Sequence, residues 1–311
     1  MDTSPASAPR TSPGGLTSPS VTQPHARRPV TPTALAWLLL AATLTACTAL
    51  PATDARALGA TSAPAVTAPL GDRLSLLGSP DVLMLGEQHD APEHQQLQHA
   101  VVQALAQRHT LAAVVLEMAD TGQGTGHLPP DTDPTRVQQA LAWRQNAWPW
   151  EAYGPAIMAA VRAGVPVLGG NLPRSRHTEV MRDAQWDVRV PPDVLARQQA
   201  AVIDGHCGLL PASQTGPMTR IQLARDVHMA QALASAAVPG QTVLLLTGSQ
   251  HAHRQWGVPL HLPGHLAVKS VRLDASGPRP DDGQAFDAVW PTAPLAPKDH
   301  CAELARRKLP A

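Results

Sequence analysis

Four short apolar runs constrain this chain more than any other feature: residues 82–85 (VLML), 113–117 (AVVLE), 166–169 (PVLG) and 242–247 (TVLLLT). None alternates apolar with polar residues as a half-exposed strand would, so each reads as a strand buried on both faces of a parallel sheet. Segments of helical period lie between them. Pro92 and Glu93 open a stretch to Arg108 in which Leu97, Val101 and Leu105 fall on one helix face. Further helices are expected at 150–163, 192–203 and 218–237, and a last strand at 266–273. This alternation predicts an α/β fold, a mostly parallel central sheet with helices on both faces, in a single domain.

Two of the apolar runs end alike, VLMLGEQHD at 82–90 and LLLTGSQHAH at 244–253, each in Gly-x-x-His. In doubly wound sheets, ligands gather beyond the carboxyl ends of the strands. Glu87, His89, Glu117, Asn171 and His251 all fall at such ends, so they are expected in one crevice. Gly86 and Gly248 would let the chain turn sharply and leave room for a ligand against the backbone. Glu87, His89, Glu117 and His251 together suit a divalent metal or general-base catalysis. No His-Glu-x-x-His helix and no nucleophile elbow accompanies them, so an enzymatic role stays open without a named nucleophile.

The formal net charge is zero, which gives no global field toward nucleic acid, and none is expected as a partner. Residues 1–33 are rich in Ser, Thr, Pro and Gly with little to bury. Behind Arg27 and Arg28 comes an apolar run, 34–46, too short to span a bilayer but suited to the core of a signal peptide. The tetrad LTAC at 44–47 resembles the bacterial lipobox, which implies acylation of Cys47 and a lipid anchor. Thr48 in place of Asp implies, by resemblance to the sorting rule, the outer membrane. The expected organisation is therefore a leader with signal peptide (1–46), an acylated Cys with flexible tether (47–74), the folded domain (75–275) and a C-terminal tail (276–311). An oxidising compartment would allow Cys207 and Cys301 to pair, but the sequence does not supply the distance that decides it.

The ordered blocks VLMLGEQHDAPEHQQLQ, AAVVLEMAD, VPVLGGNLPR, DGHCGLLP, MTRIQLARDVHMA and LLLTGSQHAHRQWGVP resemble the ChaN family of haem-binding lipoproteins, within the Tiki, TraB and erythromycin-esterase-like superfamily. The resemblance covers residues 75–275. It implies a lipid-anchored protein of the bacterial outer membrane, facing the periplasm, that binds haem and takes part in haem or iron acquisition. A homodimer and an outer-membrane haem receptor are the further partners it leaves open. The alternative, from the esterase-like branch, is a metal- or His/Glu-dependent hydrolase.

Haem needs an axial ligand and an apolar slot. His206, set between glycines in IDGHCGLLP, is the preferred iron ligand, although an exposed His at a helix end reads equally well. Tyr153 is the reserve, close to Trp143, Trp148 and Trp150. That aromatic cluster suits a plate-like ligand, a protomer interface, or a helix burying its aromatic face. Cys207 is a third candidate, open to oxidation. Asn171, Arg174 and Arg176 are candidates for a haem propionate, with a solvated basic loop as the other reading. Arg225 and Asp226 are neighbours on a helix, do not face each other, and receive no role.

Overall fold

The structure is a computed structural model that describes residues 68–308. The leader, the apolar run, Cys47 and the expected tether as far as residue 67 lie outside the described residues, and the last residues of that tether, from Leu70, belong to a helix with Leu74 buried. Among the described residues no helix is long and apolar enough to cross a membrane.

The apolar runs form strands β1 (Val82–Glu87), β2 (Leu111–Asp120), β3 (Val167–Asn171) and β4 (Thr242–Gly248), joined by β5 (Val268–Asp274) and β6 (Ala288–Pro291). All six pair in parallel in one open sheet of order β3-β2-β4-β1-β5-β6. The helices are α1 (Leu70–Leu76), α2 (Pro92–Gln107), α3 (Pro134–Ala140), α4 (Trp150–Arg162), α5 (His177–Arg182), α6 (Pro192–Gly205), α7 (Ala212–Ala236), α8 (Asp282–Ala285) and α9 (His300–Lys308).

Strand parity sorts the core into two layers, because successive side chains point to opposite faces. Leu83, Leu85, Val114, Leu116, Leu244 and Leu246 pack with Val101, Val102 and Leu105 of α2 and Ile157 and Val161 of α4. Val82, Met84, Ala113, Val115, Val243 and Leu245 pack with Met229, Ala230 and Leu233 of α7. Helices cover both faces, which explains why the central strands carry no alternation.

Two features depart from the sequence expectation. Helix α7 begins at Ala212 and runs through Pro217, where the sequence pointed to a start near Met218. The segment 276–311, expected as a tail, supplies α8, the edge strand β6 and α9. Strand β6 is only four residues and ends in Pro291, a residue tolerated at sheet edges because it donates no backbone hydrogen bond. Nothing so short is visible as a pattern. Cys207 and Cys301 form a disulfide, with Cα atoms 5.6 Å apart, that staples the end of α6 to the start of α9 across 94 residues. In the chain-entropy picture, closing a loop of that size restricts the unfolded chain by about 4–5 kcal/mol.

Gly86 sits inside β1 rather than at a turn, and its missing side chain makes room for the neighbouring chain and not for a ligand. A Cβ there would stand 2.8 Å from Ser249 Cα and 2.9 Å from Ala252 Cβ. Gly86→Ala should therefore cost about 1–3 kcal/mol by overpacking, read as a lower midpoint in chemical denaturation. An unchanged midpoint would mean that the loop after β4 is loose.

Candidate functional site

The order of the central strands answers why two strands share one ending. Strands β1 and β4 are neighbours, and their register sets Glu87 beside Gly248. On the other side of β4, Leu116 pairs with Leu246, so Glu117 comes level with Thr247. Two carboxylates thus flank Gly248 at the carboxyl edge of the sheet. They point to opposite faces, Glu87 toward α2 and α4 and Glu117 toward α7.

Glu87 is buried and has four donors. His89 Nδ1 (2.7 Å) and Tyr153 Oη (2.8 Å) donate to Oε1, and Gln95 Nε2 (2.7 Å) and Gln98 Nε2 (3.0 Å) donate to Oε2. That number fills the acceptor sites of an ionised carboxylate. Burial works to lower the His89 pKa, but the hydrogen bond to Glu87 and the charges of Glu117 and Glu87 outweigh it and leave it raised. Burial, followed by the Glu87 charge, pushes the Tyr153 phenol far above its usual range.

Glu117, on the other face, is equally engaged. Arg225 Nη2 donates to Oε1 (2.7 Å), while Thr247 Oγ1 (2.8 Å) and Gly248 N (2.7 Å) donate to Oε2. Burial alone would raise its pKa; His251, Arg225 and His89 and the Gly248 N–H reverse this and hold the carboxyl well below the ordinary carboxylate range. Asn171 braces the pair, accepting from Arg225 Nε (2.9 Å) and donating to the Glu117 carbonyl (2.7 Å). Gly248 is required here for space, since a Cβ would come within 3.0 Å of His89 Nε2.

His251 Nδ1 donates to Asp226 Oδ1 at 2.5 Å, and Gln198 Nε2 donates to Asp226 Oδ2 at 3.2 Å. This fixes the ring, with Nε2 at 3.7 Å from Glu117 Oε1. Arg225 and Asp226 are adjacent on α7 and serve two different partners, Glu117 and His251. Sequence reasoning passed over both, and Gln198 as well. The available signal was the placement of two opposite charges in MTRIQLARDVHMA, on a helix that must lie against the sheet.

These groups form the floor of a cavity of about 1130 Å³. Glu87, His89, Glu117 and His251 line it together, and His206 joins them from the end of α6. Ala201 and Val202 of α6 form an apolar wall, and Pro294, Leu295, Pro297, Lys298 and His300 approach from the segment after β6. His206 Nδ1 donates to the Val202 carbonyl at 2.7 Å, so Nε2 carries no proton while the ring is neutral.

Other candidates lie elsewhere. Tyr153 is only 2% exposed and donates to Glu87, which removes the geometric basis for its phenolate as an iron ligand. Cys207 is in the disulfide and offers no thiolate. Trp143 and Trp148 pack against Tyr153, Trp150 packs against Trp143, and all three lie against the core, with Trp148 edge-on to His89 at 4.9 Å, so they support the floor from behind. Arg174 and Arg176 occupy a 3-10 turn after the edge strand β3, and Arg176 pairs with exposed Glu179. Neither lines the cavity; β3 is the edge strand, and β2 and β4 lie between it and β1. Asn171 is buried as a brace rather than presented as an anion contact. Among the described residues no group of three or more His, Cys, Asp or Glu side chains is arranged to hold a metal ion. The reason is visible in the two carboxylates, which diverge and are already filled by donors.

Fold and site define a doubly wound α/β protein with one polar-floored crevice at the carboxyl edge of its sheet. The chain belongs to the ChaN family of haem-binding uptake proteins in the Tiki superfamily, which it matches over residues 74–262. A solved structure described as cofacial haem binding to ChaN of Campylobacter jejuni is 25% identical, with a TM-score of 0.60, covering 71% of this chain and 91% of that one. Two fainter likenesses are the type III effector HopBA1 (14% identical, TM-score 0.44, 71% of this chain and 92% of that one) and an erythromycin esterase in its open conformation (13% identical, TM-score 0.40, 65% and 72%). A search of the curated proteins finds no match.

The depressed Glu117 pKa has a definite sign in stability. A group whose folded pKa lies below its unfolded value, ordinarily 4.5, stabilises the fold above that value and loses this contribution as the pH falls below it. Glu117→Gln should cost about 3–5 kcal/mol at neutral pH by leaving Arg225 unpaired in a buried site. Below pH 4.5 the stability curves of the two proteins should converge in pH-dependent denaturation; parallel curves would show that Glu117 does not carry the charge.

Proposed function

We propose that this chain binds haem in the strand-end crevice and takes part in haem acquisition. Membership of a haem-binding uptake family supports the ligand class, and the His206 imidazole at the cavity wall is the observation that carries the assignment to a place. Its Nδ1 is committed to a backbone carbonyl, the arrangement that fixes the tautomer and turns the other nitrogen toward a metal. The residues fit the group on two further counts. The cavity has the volume for a large flat ligand, with apolar Ala201, Val202 and Leu295 in its walls and the cation Lys298 at its mouth for a propionate. When bound, haem would supply the iron; the chain would supply the imidazole, the apolar wall and the exclusion of solvent.

Lipid anchoring through Cys47, an outer-membrane position facing the periplasm and supply by an outer-membrane haem receptor belong to the same proposal. They rest on the lipobox-like LTAC at 44–47 and on the family. A homodimer rests on the cofacial haem binding of the Campylobacter jejuni relative. One observation favours the second reading, a hydrolase: Asp226 orients His251 as it would a general base. Against it, Glu87 and Glu117 are both engaged by donors from within the protein, four on Glu87 and three on Glu117. A divalent metal belongs to that second reading alone.

Titration of the full chain with ferric haem should give a shifted Soret band, and His206→Ala should change the spectrum and weaken binding by at least about tenfold, the lower end of what losing a metal-supporting group costs. If His206→Ala retains both spectrum and affinity, His206 is not the ligand. For the anchor, cell fractionation should find the wild type with membranes and Cys47→Ser in the soluble fraction; a variant that stays with the membranes counts against lipidation.

A further inference from the structure

One wall of the crevice is a segment with little of its own to hold it. Residues 294–298 and His300 line the cavity, yet Ala296 to Cys301 are all exposed. Pro294 and Pro297 offer no backbone N–H with which to stitch the segment to the body. Its ties to the body come early: His94 Nε2 donates to Thr292 Oγ1 (3.0 Å), Ala293 N to Glu93 Oε2 (2.8 Å) and Leu295 N to the Ala275 carbonyl (3.3 Å). Beyond Leu295, hydrogen bonds from His300 N to the Lys298 carbonyl and from Ala302 N and Glu303 N to Asp299 keep within the segment itself. No described residue beyond Trp290 belongs to the apolar core, and residues 302–305 of α9 are only half-buried.

The disulfide supplies the tie that this stretch lacks. It joins Cys301 in the first turn of α9 to Cys207, just past the end of α6. The two sides of the bond are held differently. On the α6 side the chain is closed by its own hydrogen bonds, from Cys207 N to the Asp204 carbonyl (2.8 Å) and from Gly208 N to the Ile203 carbonyl (3.0 Å), while Val202 holds the His206 ring. Cutting the disulfide therefore leaves His206 in place and frees the wall across from it. Cys301 is exposed and Cys207 half-buried, so a thiolate arriving from solvent reaches the Cys301 sulfur.

We propose that the Cys207–Cys301 disulfide is a thiol-cleavable latch: reduction frees residues 296–308, the wall hinges at Leu295, and the crevice opens to release its ligand. The reductant is a dithiol. One of its thiolates attacks the Cys301 sulfur, and a mixed disulfide forms as the bond to Cys207 breaks and Cys207 leaves as a thiolate. The second thiol attacks the reductant's own sulfur in that mixed disulfide, which frees Cys301 and closes the reductant's disulfide. Two electrons and two protons have then passed from the dithiol to the two cysteines. As a gate for haem the latch rests on the functional reading above; its opening does not.

The test uses the full chain in three forms: oxidised, reduced with dithiothreitol and then freed of it under argon, and the double variant Cys207→Ser, Cys301→Ser. Dithiothreitol should make both cysteines open to alkylation in the folded protein; alkylation only after denaturation overturns the latch. Without haem, hydrogen–deuterium exchange should rise across α9 in the reduced protein, because a freed helix of this length is marginal in water, while the central strands keep their protection. Equal exchange in the two states overturns the latch whether or not haem binds. Loaded with ferric haem, the reduced protein and the double variant should keep the Soret band of the oxidised form, since His206 is untouched. Both should pass haem to excess apomyoglobin at least about tenfold faster, a small part of what a second tether gives in bivalent holding. Equal transfer rates overturn the gating and leave haem binding standing, and a double variant as slow as the oxidised protein does the same. A wild type that takes up no haem overturns the functional reading and the gating of haem with it, and the exchange result still decides the latch.

Discussion

A carboxylate buried at the carboxyl edge of a parallel sheet organises the rest of this molecule. Ionised Glu117 is 2% exposed, and an uncompensated charge in such a place would cost more than a small domain can spare. The compensation comes from three elements at once: Thr247 and Gly248 at the end of β4, Arg225 from α7 and, through Arg225, Asn171 from β3. The anion therefore fixes which strands are neighbours, how far each extends and where the covering helix sits along its axis. A shift of one residue in β2 would turn Glu117 to the opposite face and leave Arg225 without its partner. Glu87 does the same for the other layer, tying β1 to α2 through Gln95 and Gln98 and to α4 through Tyr153.

The architecture was legible in the sequence because it rests on burial. Strands covered on both faces must be apolar throughout, and the runs at 82–85 and 242–247 fall within β1 and β4. That Glu87, His89, Glu117 and His251 gather at one end followed from strand polarity alone. Their partners did not follow, because hydrogen bonds such as Tyr153 to Glu87 join residues far apart in sequence by tertiary placement and leave no periodic trace. Tyr153 shows the hazard: its neighbours Trp143, Trp148 and Trp150 suggested a ligand platform, whereas their apolar area is used inside the protein, behind His89. Arg174 and Arg176 misled for a topological reason. They follow a strand, as the other site residues do, but β3 is the edge strand and the chain beyond it turns away from the crevice.

The segment after β5 was the least legible part, again for physical reasons. Strand β6 is too short for a pattern. The strap that follows is rich in proline and alanine, with the composition of a linker, although its Pro294, Leu295 and Pro297 line a cavity wall. Hydrogen bonds from Ala293 to Glu93 and from Leu295 to the Ala275 carbonyl carry this segment along the crevice, and the disulfide ties it down beyond them. Two cysteines 94 residues apart carry no distance information in sequence, and only the fold places α6 where Cys301 can reach it.

The floor and the rim of the crevice divide the chemistry between them. On the floor, donors and acceptors are matched within the protein: Glu87 has four donors, Glu117 has three, and His251 is tied to Asp226. Groups held in this way keep one geometry, which is what a site that must present a constant shape requires. At the rim lie the Nε2 of His206 and the ring of His300, both on segments that the disulfide joins. A ligand entering this crevice would meet a preorganised floor and, at the mouth, the imidazoles of His206 and His300. That arrangement is the one expected of the haem-holding site proposed above.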